Sequence, residues 1–428
     1  MKRKTALFFV ALAFGLAWAI RGHFGHEYGA AWAGAIAGLA VVAAARRRDW
    51  ASRLTVLATL AGIGWGVGGM MSYGIVVGYG RGVEFGNVFY GLSMLGVVGA
   101  LYGFIGGGLF GLGLESTDEQ KPEWASLLAE MIAGGLLAWW VIIAQFGWKM
   151  TPPRSELWAA CLGASVALAW FLQRNGYTNA LRVAGYAALG AGFGFGFGNF
   201  LQTVGTVSGF DFNWWNVMEF SLGSFGGLGM AYGVLTREWS QSVAPSRTAN
   251  WMAFFFLLLG LPLINVFQAM KVEKFLQAAE RLGIENGSAF ANLQINITYL
   301  VTALFFAVAL LVHTRYSSRP DKLNASYSPI IFFLYVLFYL AFSHIIESVF
   351  VRGQAFQLNQ VLYWLVLIVL FLLWFSNRRE KSHPFVVTSP ESGVRWVFLI
   401  GLALSILAMC TLISITIHKG LPGYHERF

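Results

Sequence analysis

Charge is scarce in this chain, and so are the residues that build stapled or metal-bearing soluble domains. Only 11% of its 428 residues are Asp, Glu, Lys or Arg, ten are proline and two are cysteine. Cys161 and Cys410 each sit inside an apolar run, which argues against a disulfide framework and against a thiolate metal site. No polar stretch between the apolar runs is long enough for a soluble domain, and no nucleophile motif is present. What fills the chain is hydrocarbon: 57% hydrophobic residues and a mean hydropathy of +0.62, far above a soluble globular composition. Apolar stretches of the ~20 residues needed to cross a ~30 Å hydrocarbon core recur from end to end. The expected fold is an all-α polytopic membrane protein.

Hydropathy places about thirteen spans, at 5–21, 29–45, 54–78, 87–114, 123–145, 156–172, 181–205, 214–235, 249–269, 290–312, 328–350, 358–375 and 394–417. The net charge of +9 is concentrated at span ends, so it reads as a topology signal and not as a nucleic-acid footprint. The clusters KRK, ARRRDW, QRNGYTNALR, TREWSQSVAPSR, HTRYSSRPDK and SNRREK fall in alternate loops. They predict a cytoplasmic N-terminus in a bacterial inner membrane, with the turn RGHFGHEYGA (21–30) on the opposite side. The N-terminus also resembles a signal peptide around Ala17-Trp18-Ala19, but the repeat described next needs it as a retained first span.

Gly64, Gly66 and Gly68 match Gly194, Gly196 and Gly198 at an offset of 130 residues, and Gly96, Gly99, Tyr102 and Gly103 match Gly226, Gly229, Tyr232 and Gly233 at the same offset. Four spans thus repeat in parallel, giving units at 1–120 and 121–245, each with a glycine-rich third helix. A divergent third unit at 246–385 carries an amphipathic segment, KVEKFLQAAERLGIENG (271–287), expected on the outer surface or as a lid. Residues 386–428 form a last helix and tail. Glycine at every second or fourth position lets helix backbones approach closely. The same glycines do not make a dinucleotide loop, because neither a strand nor a free helix N-terminus accompanies them.

Polar residues gather in the halves of the spans away from the basic loops: Ser72, Tyr73, Asn199, Gln202, Glu219, Asn265, Asn296, Ser343, His344 and Glu347. Loop residues Arg21, His23, His26, Glu27, Arg81, Lys149, Arg154 and Arg352 lie beside them. A charge at membrane depth requires a partner or a watery cavity, so these residues predict a water-accessible vestibule on the extracytoplasmic side. Arg21, His23, His26, Glu27, Asn199, Gln202, Glu219, Asn296, His344, Glu347 and Arg352 are the expected solute ligands. Arg21, Arg81 or Arg352 would hold a carboxylate, and His23, His344, Glu219 or Glu347 a coupling proton. Glu219 is alternatively the partner of an arginine such as Arg81. The order His-x-x-His-Glu at 23–27 matches no metalloprotease helix, and neither a metal nor an organic cofactor is expected. The leading expectation is a secondary transporter for a small polar solute, a sugar, sugar acid or organic anion, with membrane lipids as its surroundings. The alternative is a membrane-embedded enzyme performing acyl or glycosyl transfer on a lipid-linked or envelope substrate. A ligand-binding scaffold is the third reading.

Overall fold

A computed structural model describes residues 1–152, 155–242, 245–317, 327–348, 357–378 and 393–428. Helix makes up 81% of it, and no strand occurs among the described residues. Helices α1 (Arg3–Ile20) and α2 (Glu27–Ala45) are followed by the short α3 (Arg48–Ser52), then α4 (Leu54–Gly68), the short α5 (Gly74–Tyr79) and α6 (Phe85–Glu115). Next come α7 (Trp124–Trp139), α8 (Leu157–Arg174), α9 (Thr178–Val207), α10 (Trp214–Leu235), α11 (Arg247–Phe255), α12 (Leu261–Ala269) and the amphipathic α13 (Val272–Arg281). The chain ends with α14 (Gly287–Ser317), α15 (Tyr327–Ile346), α16 (Leu358–Ser376) and α17 (Gly393–Ile417). Short π-helical stretches extend α7 through Trp140–Gln145 and join α11 to α12 through Phe256–Gly260. Among the described residues ten helices are long and apolar enough to cross a membrane. The protein is therefore polytopic.

One expected span is not continuous. The stretch anticipated at 54–78 breaks after Gly68, turns through Gly69–Tyr73 and resumes as α5. Four glycines between positions 62 and 68 weaken helical propensity there. The break is pinned from outside, because a Cβ on Gly69 would lie 2.7 Å from both the His26 carbonyl oxygen and Glu27 Cα. Glycine permits the N-terminal turn to rest on the break.

Packing is densest around α9, which is clasped by α6 and α10. The reason is steric. A Cβ on Gly99 or Gly103 of α6 would lie 2.4 Å from the Ala191 carbonyl oxygen or 2.2 Å from that of Ala187. On the opposite face, Gly229 of α10 meets the Tyr186 carbonyl at 2.0 Å by the same construction. Backbones this close maximise dispersion contacts where lipid offers no hydrophobic drive between helices. By contrast α14 and α17 are each 22% buried over their most apolar windows, against 89% for α2.

The connections collect at two ends. At one, Arg47 donates to the Trp239 and Ser240 carbonyls, Arg53 to that of Ser116, and the Ser242 hydroxyl to that of Leu114. At the other, Arg81 donates to the Pro422 carbonyl, and the Arg427 amide and guanidinium reach Asn87 and the Lys149 carbonyl. The first end carries the loops ARRRDW and TREWSQSVAPSR and is called the basic end below.

Asp49 ties the basic end together, accepting from Arg47 at 2.7 Å and from the Ser242 amide at 3.1 Å. Burial alone would raise its pKa, but these hydrogen bonds outweigh it and hold the carboxyl below its ordinary 3.8. A depressed folded-state value stabilises the fold above the unfolded pKa, and that stability disappears as pH falls through the folded value. Asp49→Asn is expected to lower Tm at pH 7, with the gap to the wild type narrowing below about pH 4 in a thermal-melt series. Gly103→Ala and Gly229→Ala, which force Cβ atoms into carbonyls, are expected to cost about 1–3 kcal/mol each by denaturant titration. Gly86→Ala, where a Cβ meets nothing within 4 Å, is the neutral control.

Candidate functional site

The turn 21–30 joins α1 to α2 through a single 3₁₀ turn, Arg21–Phe24, ended by Gly25 at φ 89°. That left-handed value favours glycine and lets the chain reverse at once. The tight reversal sends its polar side chains in different directions. Arg21 points into the bundle, His23 sideways toward α15, and His26 back over the broken helix, its ring 5.4 Å from that of Tyr73.

Arg21 is buried and forms a two-pronged ion pair with Glu219 of α10, Nε to Oε2 at 3.1 Å and Nη2 to Oε1 at 2.9 Å. Tyr73, delivered by the break between α4 and α5, donates its hydroxyl to Glu219 Oε1 at 2.7 Å and accepts from Arg21. Trp215 Nε1 donates to the same carboxylate oxygen at 3.2 Å. The guanidinium also lies over the Trp18 ring at 5.1 Å, a cation–π contact. Three elements far apart in sequence thus meet on one carboxylate. The arginine anticipated from the sequence as a possible partner of Glu219, Arg81, is instead bound to the C-terminal tail.

On the other side of the turn, His23 Nδ1 lies 2.8 Å from Ser343 Oγ, and its Nε2 lies 3.6 Å from Glu347. Above them α13 covers a cleft of about 400 Å³ lined by His23, Glu27, Gln268, Lys271, Glu273 and Lys274. Phe275, Ala278 and Ala279 form the buried face of α13, so its charged face is left to the cleft and solvent. Burial holds the Lys274 ammonium below its ordinary pKa, partly offset by the attraction of Glu347.

The open vestibule anticipated from the sequence is therefore divided. Arg21 and Glu219 are sealed against each other, and the accessible volume is the neighbouring cleft with His23 and Glu27. His344 accepts from Trp364 Nε1 at 2.8 Å, while Glu347 reaches His23. Asn199 donates to Gln202 at 3.0 Å within α9, both buried and away from the cleft. Asn296 is exposed on the outer surface of α14, because that helix packs mainly on α13 and α15 and leaves most of its circumference uncovered. Arg352 and Arg154 lie outside the described residues. Sequence reasoning undervalued Tyr73 and Ser343 as site residues. The glycine run before Tyr73 was the available signal of a break; no local signal couples Ser343 to a histidine 320 positions earlier. Among the described residues no group of three or more His, Cys, Asp and Glu side chains is placed to hold a metal.

Removing one member of a buried ion pair strands the other charge and costs about 3–5 kcal/mol. Arg21→Met or Glu219→Leu alone is expected to lower thermal stability by that order, and the double variant to recover much of the loss. Additive losses in the double-mutant cycle would show that the two side chains are not coupled. No family model, curated protein or solved structure matches the chain.

Proposed function

We propose that the protein is a secondary transporter that takes a small polar solute from the cleft beneath α13. The observation that carries this reading is the Arg21–Glu219 ion pair at a broken helix. Ionisable pairs at membrane depth are costly and mark solute or proton routes. Interrupted helices are where transporters place their sites. In this reading the solute enters beside His23 and Glu27, and its anionic group competes with Glu219 for Arg21. A proton taken up by Glu219 releases the guanidinium and supplies the coupling. Tyr73, bonded to both partners, relays the exchange. Thirteen crossings, in two parallel four-helix repeats followed by a divergent unit, fit the way connections collect at two ends. The basic end then faces the cytoplasm of a bacterial inner membrane by the positive-inside rule.

A second reading has one specific observation in its favour. Ser343, His23 and Glu347 form a hydroxyl, imidazole and carboxylate series of the kind used in acyl transfer. It ranks behind transport because the 3.6 Å between His23 Nε2 and Glu347 is too long for the carboxylate hydrogen bond that would orient the imidazole.

Proteoliposomes test both. With sugars, sugar acids and organic anions as solutes and an imposed pH gradient, the wild type is expected to accumulate one class. Arg21→Gln is expected to abolish uptake, and Glu219→Gln to leave exchange but remove the response to the gradient. Absence of uptake for every class, together with labelling of Ser343 by a fluorophosphonate probe, would put the enzyme first.

A further inference from the structure

After α17 the chain turns back over the end of the bundle opposite the basic one. Gly420 and Gly423 adopt left-handed φ values of 110° and 73°, which favour glycine, and residues 421–428 come to lie on α5 and the start of α6. There the segment is held by its main chain. The His425 amide donates to the Gly78 carbonyl at 3.1 Å. The His425 carbonyl accepts from Asn87 Nδ2 at 2.9 Å, and the Arg427 amide donates to Asn87 Oδ1 at 2.7 Å. The N–H and C=O of one residue and the N–H two positions on thus face the same side, as they do along the edge of a β-strand. Flanking contacts add to this. Arg81 donates to the Pro422 carbonyl at 3.0 Å, the Arg427 guanidinium reaches the Lys149 carbonyl at 2.7 Å, and the Phe428 ring meets that of Tyr90 edge-on at 5.4 Å.

The receiving surface leads to the ion pair. Asn87 is 5% exposed, and its Nδ2 also donates to the Tyr79 carbonyl at 3.1 Å, so one carboxamide joins the last turn of α5 to the C-terminal segment. α5 is six residues long. α6 grips it closely, since a Cβ on Gly91 would lie 2.5 Å from the Gly80 nitrogen, and the C-terminal segment gives it a second hold. At the other end of α5 the Tyr73 carbonyl accepts from the Val77 amide at 2.9 Å. The Tyr73 hydroxyl is bonded to both Arg21 and Glu219.

We propose that Gly78, Arg81 and Asn87 form a docking site for an extended peptide backbone, that residues 421–428 occupy it in cis, and that this strap keeps α5, and with it Tyr73, on the ion pair. Recognition through main-chain groups suits an extended segment. Tyr424 and Phe428 remain exposed, so little apolar burial holds the strap down. Its hydrogen bonds do little more than offset the entropy of ordering it. Docked and released states therefore lie close in free energy, as a switch requires. On release α5 loses its second hold, Tyr73 leaves Glu219, and Arg21 is opened to the solute. That last consequence rests on the transport reading; the strap itself does not.

Hydrogen–deuterium exchange of the full-length protein in nanodiscs tests the strap, reading residues 69–82 with α2 as the internal reference. Deleting 421–428 is expected to speed exchange at 74–82 about tenfold, the mark of a local opening, and to leave α2 unchanged. Gly78→Ala is expected to do the same although alanine improves helix propensity, because its Cβ would run into the His425 ring and lie 2.9 Å from the Gly423 carbonyl oxygen. A synthetic LPGYHERF peptide is expected to restore protection to the deletion variant, and the same peptide N-methylated at its His and Arg amides to fail. Unchanged exchange in the deletion variant would overturn the proposal, as would equal protection by the methylated peptide. So would wild-type protection that is lost on dilution, which would place a second copy's segment in the site. Uptake into proteoliposomes is read separately. Faster uptake by the deletion variant supports release of the ion pair, whereas no uptake by either protein counts against the transport reading and leaves the exchange result to decide the strap.

Discussion

A charge inside a membrane protein must be neutralised by a neighbour, and here that requirement is met by Arg21 and Glu219. The pair lies at the junction of three segments, the turn after α1, the break between α4 and α5, and the start of α10. Each segment is shaped by it. The 3₁₀ turn with its left-handed Gly25 aims Arg21 inward. The glycine-rich end of α4 gives way so that Tyr73 can reach both charges. Asn213 caps α10 by accepting from the Asn216 amide, which starts that helix one turn before Glu219. If any of the three were displaced, a buried charge would be left without its hydrogen bonds, at a cost of several kcal/mol.

Close backbone packing makes that junction rigid. α1 lies against α10, α10 against α9, and α9 against α6, and glycine at the contacts removes side chains that would hold the backbones apart. The ion pair is therefore carried by helices that cannot easily shift relative to one another. α14, α16 and α17 are attached more loosely, with large side chains such as Leu311, Leu372 and Val397 turned outward. The molecule combines a tight inner bundle with a softer periphery. Its cleft occurs where the two meet.

This division suits the proposed roles. A transported solute needs a charged contact that can be exchanged, and a sealed ion pair bonded to a phenolic hydroxyl offers one without leaving either charge bare. The cleft beneath α13 supplies the approach, lined by Lys271, Glu273 and Lys274 from the α13 segment and by Glu27 from α2. Mixed charge of this kind attracts small polar solutes without committing to one sign.

The sequence by itself determined the helices, because a run of apolar residues has one stable conformation in hydrocarbon and its length is set by the bilayer. It also determined the amphipathic α13, whose apolar face is spaced for a helix. The glycines predicted close approach, though not which neighbour each would meet. Tertiary structure alone decided that Arg21 pairs with Glu219, 198 residues away, and that Arg81 serves the C-terminal tail. It also decided that His23 meets Ser343 and that Asn296 faces outward. Hydropathy records how far each residue is from water on average. A charge inside the bundle takes its role from the side chain that touches it, and that is settled only when the helices pack.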